Sequence, residues 1–299
     1  MKKLILGLFL SLFLQPTFAC DLCGCNSGNY FIGPLPQFTS HFASIRYSFQ
    51  KYKTVLQNDA SQFSNDRYQT AELMLGTRIK NKWQLLAFIP YSKSKLESDD
   101  GINSHSGLGD ITLNGNYNLF DKMTLNKDTN TVDQQLWVGA GIKLPTGKFN
   151  VDEEEIVSSA NSQPGSGSVD FLVNALYTLQ IKSWGLNVNA NFKINQSADH
   201  FKFGNRFTPT AFLFRNFHIG ALTVSPNLGM LYEHFAANVF NDEKVADTGG
   251  YNLFSSAGIE LRYNRLAIGG SAQMPVSSDL SSGQTKAKGR GMLHLSLLF

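Results

Sequence analysis

Three cysteines fall within six residues, as Cys20-Asp21-Leu22-Cys23-Gly24-Cys25. Grouped thiolates are ligands for a soft ion such as Cu(I) or Zn(II). No histidine lies nearer than His41, so three thiolates suit a low-coordinate soft ion better than tetrahedral zinc, which takes four ligands. Two other readings stand beside this one: a disulfide within an exported leader, or a lipid on Cys20. Lipidation would leave only Cys23-Gly24-Cys25, so it and metal binding oppose each other. A second chemical pair is His294 and Ser296, neighbours on one face of a strand. Nucleophilic catalysis needs a base held by a third group. No carboxylate or amide is tied to this pair in the sequence, so no enzyme is expected. His41, His105, His200, His218 and His234 are scattered and show no ligand spacing. The run Asp152-Glu153-Glu154-Glu155 reads as a solvated loop face, with a divalent-cation bridge to lipopolysaccharide as the rival reading.

The elements that must position these groups begin with the N-terminus. Lys2-Lys3, an apolar run from Leu4 to Leu14 and the exit Pro16-Thr17-Phe18-Ala19 have the form of a secretory signal peptide. The run is about 11 residues, against the roughly 20 that a spanning helix needs. Beyond it the longest unbroken apolar stretch is Leu85 to Ile89. The expected organisation is therefore a signal peptide at 1–19, a Cys-rich periplasmic leader at 20–37 and one β-barrel domain over 38–299. Only 16% of the 299 residues are charged, and 42% are hydrophobic. This excludes a disordered chain. Removing Lys2 and Lys3 leaves +1 of the +3 formal charge, which gives no reason to expect a nucleic-acid partner.

Beyond the leader the dominant period is two. Ala43, Ile45, Tyr47 and Phe49 alternate with Ser44, Arg46 and Ser48; Ile111 to Leu119 alternates with Asp110, Thr112, Asn114, Asn116 and Asn118. Twelve such segments occur, the eighth (near Arg206 to Asn216) without a clear face because of Pro209 and Phe212 to Phe214. Long connections (51–66, 92–106, 146–167, 196–206, 234–250 and 277–288) alternate with short ones, 120–132 being the exception. Aromatic residues gather at segment ends. An even strand count, alternating loop lengths and aromatic girdles describe an all-β, antiparallel transmembrane β-barrel of about 12 strands in the outer membrane of a Gram-negative cell. A soluble sandwich would carry many Lys and Glu on its polar face; here that face is Asn, Ser, Thr and Gly. The terminal pattern Leu293-x-Leu295-x-Leu297-x-Phe299 resembles the closing strand of outer-membrane barrels.

Two motifs stand at strand ends: Gly107-Leu108-Gly109-Asp110-Ile111-Thr112-Leu113 and Gly141-Ile142-Lys143-Leu144-Pro145-Thr146-Gly147. Glycines 107, 109 and 141 allow bulges or close strand approach, Pro145 suits a strand end and Thr146-Gly147 begins a turn. Both motifs therefore read as architectural. Together they resemble the outer-membrane family of transporters of the MetA pathway of phenol degradation, loosely over residues 38 to 299. That resemblance implies a barrel that passes small hydrophobic molecules.

If the apolar set faces lipid, the lumen receives Arg46, Glu72, Arg78, Asp110, Lys143, Asp170, Lys193, Glu260 and Arg262. Arg46 and Glu72 are expected to face each other across a hairpin. Leu86, Phe88, Trp137, Leu172, Leu176 and Phe254 share that side. The expected function is a channel or transporter for small solutes, hydrophobic or aromatic in kind. The alternative is a non-conducting barrel whose leader binds metal or a periplasmic partner. Membrane lipids, lipopolysaccharide and a small-molecule solute are the expected partners. No cofactor is expected beyond a soft metal at Cys20, Cys23 and Cys25.

Overall fold

The computed structural model describes residues 41–55, 62–98, 101–125, 131–150 and 160–299. The signal peptide, the cysteine leader and the acidic run at 152–155 lie outside the described residues.

Twelve strands close one antiparallel barrel: β1 Phe42–Val55, β2 Phe63–Ile79, β3 Trp83–Ser98, β4 Thr112–Leu125, β5 Thr131–Lys143, β6 Asp170–Ile181, β7 Trp184–Ile194, β8 Arg206–Arg215, β9 Leu222–Phe235, β10 Gly250–Tyr263, β11 Leu266–Leu280 and β12 Thr285–Leu298. Each pairs with its sequence neighbours, and β12 returns to pair with β1, from Phe42↔Leu298 to Thr54↔Thr285. Closure removes every free edge, as a strand in lipid requires. Across the seam the Ser296 hydroxyl donates to Ser44 Oγ at 2.8 Å, between residues 252 apart in the chain.

Alternation decides which way each residue points. Ile45, Leu73, Leu85, Leu113, Val173, Leu295 and Leu297 are exposed on the outer wall, whereas Ser44, Arg46, Glu72, Asn114 and Ser296 are buried. Bare apolar side chains outside and enclosed polar ones inside invert a soluble protein, and the bilayer is the solvent that makes this stable. The belt is bounded by aromatic rows. Trp83 and Tyr117 pair at the short-turn end with ring centroids 4.7 Å apart. Tyr47, Ala71 and Tyr91 form one row toward the long-loop end. The eight steps from Trp83 to Tyr91 span about 21 Å in a strand tilted ~40°, close to the ~25 Å apolar band of such barrels.

Several strands exceed their sequence signal. β1, β2 and β3 continue past the aromatic row, so the expected loops at 51–66 and 92–106 are largely strand. A further strand, Gly101–Leu108, pairs only with the upper part of β3. At the other end β4 and β5 stay paired down to Leu125↔Thr131. The exceptional connection at 120–132 is thus the tip of an extended hairpin. β12 starts at Thr285, well before Leu293; the sequence does not show this portion because Ala287, Gly289 and Gly291 weaken the apolar alternation there.

The β1–β3 extension rises above the apolar belt and encloses one carboxylate. Asp66 sits in the ladder between Tyr52 and Leu96 and is wholly buried. Ser64 Oγ donates to its Oδ1, while its Oδ2 meets no hydrogen-bond donor among the described residues. Burial pushes the Asp66 carboxyl up to about 6, against the lowering effect of the Ser64 hydrogen bond. A folded pKa above the unfolded value of 3.8 favours the protonated form in the barrel. The stability it contributes is full below about pH 4 and is lost as pH rises through about 6. Asp66→Asn, which keeps the shape without the charge, should therefore stabilise the barrel by about 2 kcal/mol at pH 8 and have no effect at pH 3.5. Urea midpoints at the two pH values check this; equal midpoint shifts at both would reject it.

Candidate functional site: the barrel lumen

The lumen has two unlike linings. One is a network of amides on β3, β4 and β6. Asn116 Nδ2 donates to Gln84 Oε1 at 2.9 Å, and Asn174 Nδ2 donates to Asn116 Oδ1 at 2.9 Å across the gap left by Gly139 on β5. Asn114 Nδ2 joins the same acceptor at 2.6 Å. Amides are the natural lining here, since each carries both donors and acceptors and no charge. On β8–β12, β1 and β2 inward polar residues such as Ser44, Asn227, Asn252 and Ser256 stand beside one buried aromatic and aliphatic cluster that includes Tyr52, Tyr68, Phe212, Leu231, Phe254 and Met292. A second cluster of Phe42, Met74, Leu86 and Phe88 packs with Leu176 and Leu298.

Charges sit among these in compensated groups. Arg46 and Glu72, directly opposite in the β1–β2 register, form an ion pair with both side chains buried. Lys143 pairs with Asp110 and, at 2.9 Å, with Asp170; Lys193 reaches the same Asp170 oxygen at 3.2 Å. Asp170 also accepts from Ser168 Oγ at 2.7 Å and from the Gln196 N–H at 3.0 Å. Glu260 lies 2.9 Å from His294 Nε2. In a confined space of low dielectric, a charge without such partners is strongly disfavoured.

Two of the nine charged positions read from the sequence lie at the short-turn rim. Arg78 stacks 5.1 Å over the Trp137 ring and lies 3.8 Å from Asp121. Arg262 is exposed and, with Glu260, Asp133 and Gln135, lines an entrance cavity of about 250 Å³. Asp110 stands just outside β4, in the break between the strand Gly101–Leu108 and Thr112. Leu86, Phe88, Trp137, Leu172 and Phe254 are all buried inside. Ser296 Oγ donates to Ser44 Oγ, not to His294, whose Nε2 faces Glu260.

One buried charged group was not evident from the sequence. Glu233 on β9 is fully buried and is held by Arg206 of β8 and Arg290 of β12. Arg290 Nη1 adds a 3.2 Å hydrogen bond to Glu233 Oε1. Each guanidinium also lies over a ring, Arg206 4.8 Å above Phe235 and Arg290 3.7 Å above Phe254. The available signal was Glu233 itself, on the inward side of the Leu231 alternation.

The two glycine motifs meet at the long-loop mouth. Thr146 Oγ1 accepts the Ile111 N–H at 2.9 Å and donates to Gly109 O at 3.0 Å. The Asp110 carboxylate accepts the N–H groups of Gly147 (3.0 Å) and Ser166 (2.9 Å) and the Ser166 hydroxyl (2.9 Å). Gly147 and Gly165 pass so closely that a Cβ on Gly147 would lie 2.7 Å from the Gly165 Cα. This latch turns the β5–β6 connection inward. Ala160, Asn161 and Ser162 are buried, and Ser94 Oγ on β3 donates to Ser162 O at 2.6 Å.

The outer wall is hollowed where Ala87, Gly115 and Ala140 carry little side chain. The hollow, about 710 Å³, is lined by Leu75, Leu85, Leu113 and Ile142 and reaches the inward-facing Phe42, Leu86 and Asn114.

With this geometry in view, the chain was compared with known proteins. Residues 50–286 match the model of the family described as "Putative MetA-pathway of phenol degradation". The chain belongs to this family. Both motifs and the latch they form fall inside the matched region of this MetA-pathway family member. No match is found among curated protein sequences. Among solved structures, the COG4313 outer membrane channel from Pseudomonas putida F1 is similar at TM-score 0.61 and 14% identity, over 87% of this chain and 96% of that one. The beta domain of the Bordetella autotransporter BrkA is similar at TM-score 0.51 and 10% identity, over 87% and 100%. The transport unit of the autotransporter AIDA-I from Escherichia coli gives TM-score 0.50 and 10% identity, over 90% and 94%. At these identities the likeness is one of fold, that of an outer-membrane β-barrel. The outer membrane of a Gram-negative cell is accordingly the place of this MetA-pathway family barrel.

Proposed function

We propose that the barrel is a channel for small hydrophobic or aromatic solutes. The observation that carries this is the mixed lumen. A buried aromatic and aliphatic cluster on β8–β12, β1 and β2 shares it with the amide network of β3, β4 and β6, and the charges among them are compensated in groups. An aromatic ring with one polar edge finds a π surface on one side and hydrogen-bonding amides on the other. A strongly hydrated ion gains nothing comparable. The apolar hollow in the outer wall, reaching Phe42 and Leu86, supports the same solute class. So does the similar COG4313 protein, an outer membrane channel.

The rival reading, a non-conducting barrel, draws on the inward-turned connection at Ala160–Ser162. In that reading Cys20, Cys23 and Cys25 would bind a soft metal or a periplasmic partner. Proteoliposomes of the full-length protein separate the two. A monoaromatic carboxylate, too polar to cross lipid unaided, should accumulate faster than a hexose of similar size. Phe254→Ala should lower the aromatic rate several-fold and leave hexose unchanged. Equal rates for both solutes reject the solute class. Absence of both uptake and planar-bilayer conductance rejects the channel and leaves the rival.

A further inference from the structure

On one side of the barrel the outer wall above the apolar belt is basic. The Tyr47–Ala71–Tyr91 row marks the belt's upper edge. The next outward row is Phe49–Gln69–Lys93, and the one above it is Lys51–Arg67–Lys95. Lys53 pairs directly with Lys286 beyond that. Among the described residues of β12, β1, β2 and β3, the outward side carries one carboxylate, Glu97, 4.0 Å from Lys95. We propose that this patch is a binding site for the phosphate groups of lipopolysaccharide in the outer leaflet.

Three arguments support the assignment. The first is height. Four residues at ~3.4 Å each, in a strand tilted ~40°, put the Lys51–Arg67–Lys95 row about 10 Å above the aromatic row, at headgroup level. The second is charge. Like charges directly opposite on neighbouring strands repel, and three in one row with no carboxylate between them call for an external anion. The third is geometry. A guanidinium fork flanked by two ammonium groups suits a tetrahedral phosphate, which offers several acceptor oxygens at once. The patch is also one-sided. On the other half of the wall the cations near the strand tops, Lys143, Lys193 and Arg206, turn into the lumen and are buried there. The site is therefore independent of the solute that the lumen passes.

The test uses the full-length protein, freed of lipopolysaccharide in detergent micelles and titrated with bisphosphorylated lipid A. Native mass spectrometry reads the bound fraction. The triple variant Lys51→Gln, Arg67→Gln, Lys95→Gln should weaken binding by about tenfold or more, the loss of at least one charge-assisted contact. The triple variant Lys82→Gln, Lys122→Gln, Lys182→Gln, with the same charge change at the short-turn end, should bind as wild type does. Dephosphorylated lipid A should bind wild type and patch variant equally and weakly. Gel mobility of unheated samples first establishes that each variant is folded. If the triple is not, Arg67→Gln alone should weaken binding about threefold. Wild-type binding by a folded patch variant overturns the proposal, as does undiminished binding of dephosphorylated lipid A. Displacement by an equal concentration of inorganic phosphate would assign the patch to the free anion and overturn the lipid assignment.

Discussion

Glu233→Gln is expected to lower the stability of the barrel by about 3–5 kcal/mol, the cost of removing one partner from a buried ionic group. Glu233 joins strands β8, β9 and β12 through Arg206 and Arg290, and none of its side chain is exposed. The glutamine keeps the shape and one acceptor, so lost packing contributes little. What remains is two guanidinium groups in one enclosed space without the carboxylate between them. The stacking on Phe235 and Phe254 offsets only part of that, about 1 kcal/mol for each ring. The urea midpoint of the folded, heat-modifiable band in micelles measures the effect. Adding Arg290→Gln to the variant should restore more than half of the loss, because it removes the repulsion along with the cation. A Glu233→Gln barrel that unfolds at the wild-type midpoint would show that the group contributes nothing to stability.

Asp110→Ala is expected to release the β5–β6 connection from the mouth while the barrel stays closed. The carboxylate holds two backbone N–H groups, one hydroxyl and Lys143 at once. Hydrogen bonds to a charged group are worth about 1.5–3 kcal/mol each, and the set does not add fully. A net loss of about 3 kcal/mol raises the open population of the connection roughly a hundredfold. Proteolysis within 148–168 should accelerate accordingly, and planar-bilayer conductance should rise. Gly165→Val reaches the same state by another route, since a Cβ there would stand 2.5 Å from the Gly147 carbonyl oxygen. If both variants resist protease and conduct as wild type does, the latch does not hold the connection.

The barrel was legible in the sequence because lipid imposes a strict period of two wherever the wall touches it. Arg46 facing Glu72 was legible for the same reason, since both lie in clean alternations joined by one hairpin. The segment around Arg206 was harder to read because the consecutive Phe212, Leu213 and Phe214 put bulky residues on both faces. Phe212 and Phe214 in fact point inward, over Gly229 and Gly185 on the neighbouring strands, where a Cβ would come within 2.3 and 2.1 Å of the rings. A single sequence cannot show that a large residue on one strand is matched by the absence of a side chain on the next. Arg290 was hidden for a related reason, because Thr285–Gly291 is small and basic and lies in the strand portion beyond the lipid. Without Arg206 and Arg290 in place, Glu233 had no visible partner. The inward turn of the β5–β6 connection was likewise beyond reach, as it depends on Asp110, Gly147 and Ser166 from separate segments.

The seam between β1 and β12 has a consequence for how such a chain assembles. The first strand cannot complete its hydrogen bonding until the last fourteen-residue strand has been made and delivered to it. Until then the growing sheet has two open edges, each a row of N–H and C=O groups that hydrocarbon cannot satisfy. Contacts this distant in sequence also form slowly, because a loop of nearly the whole chain must close before they stabilise anything. Biogenesis of the barrel is thus a problem of timing. An escort must shield both edges through synthesis and export, and the sheet loses its two edges only when β12 meets β1.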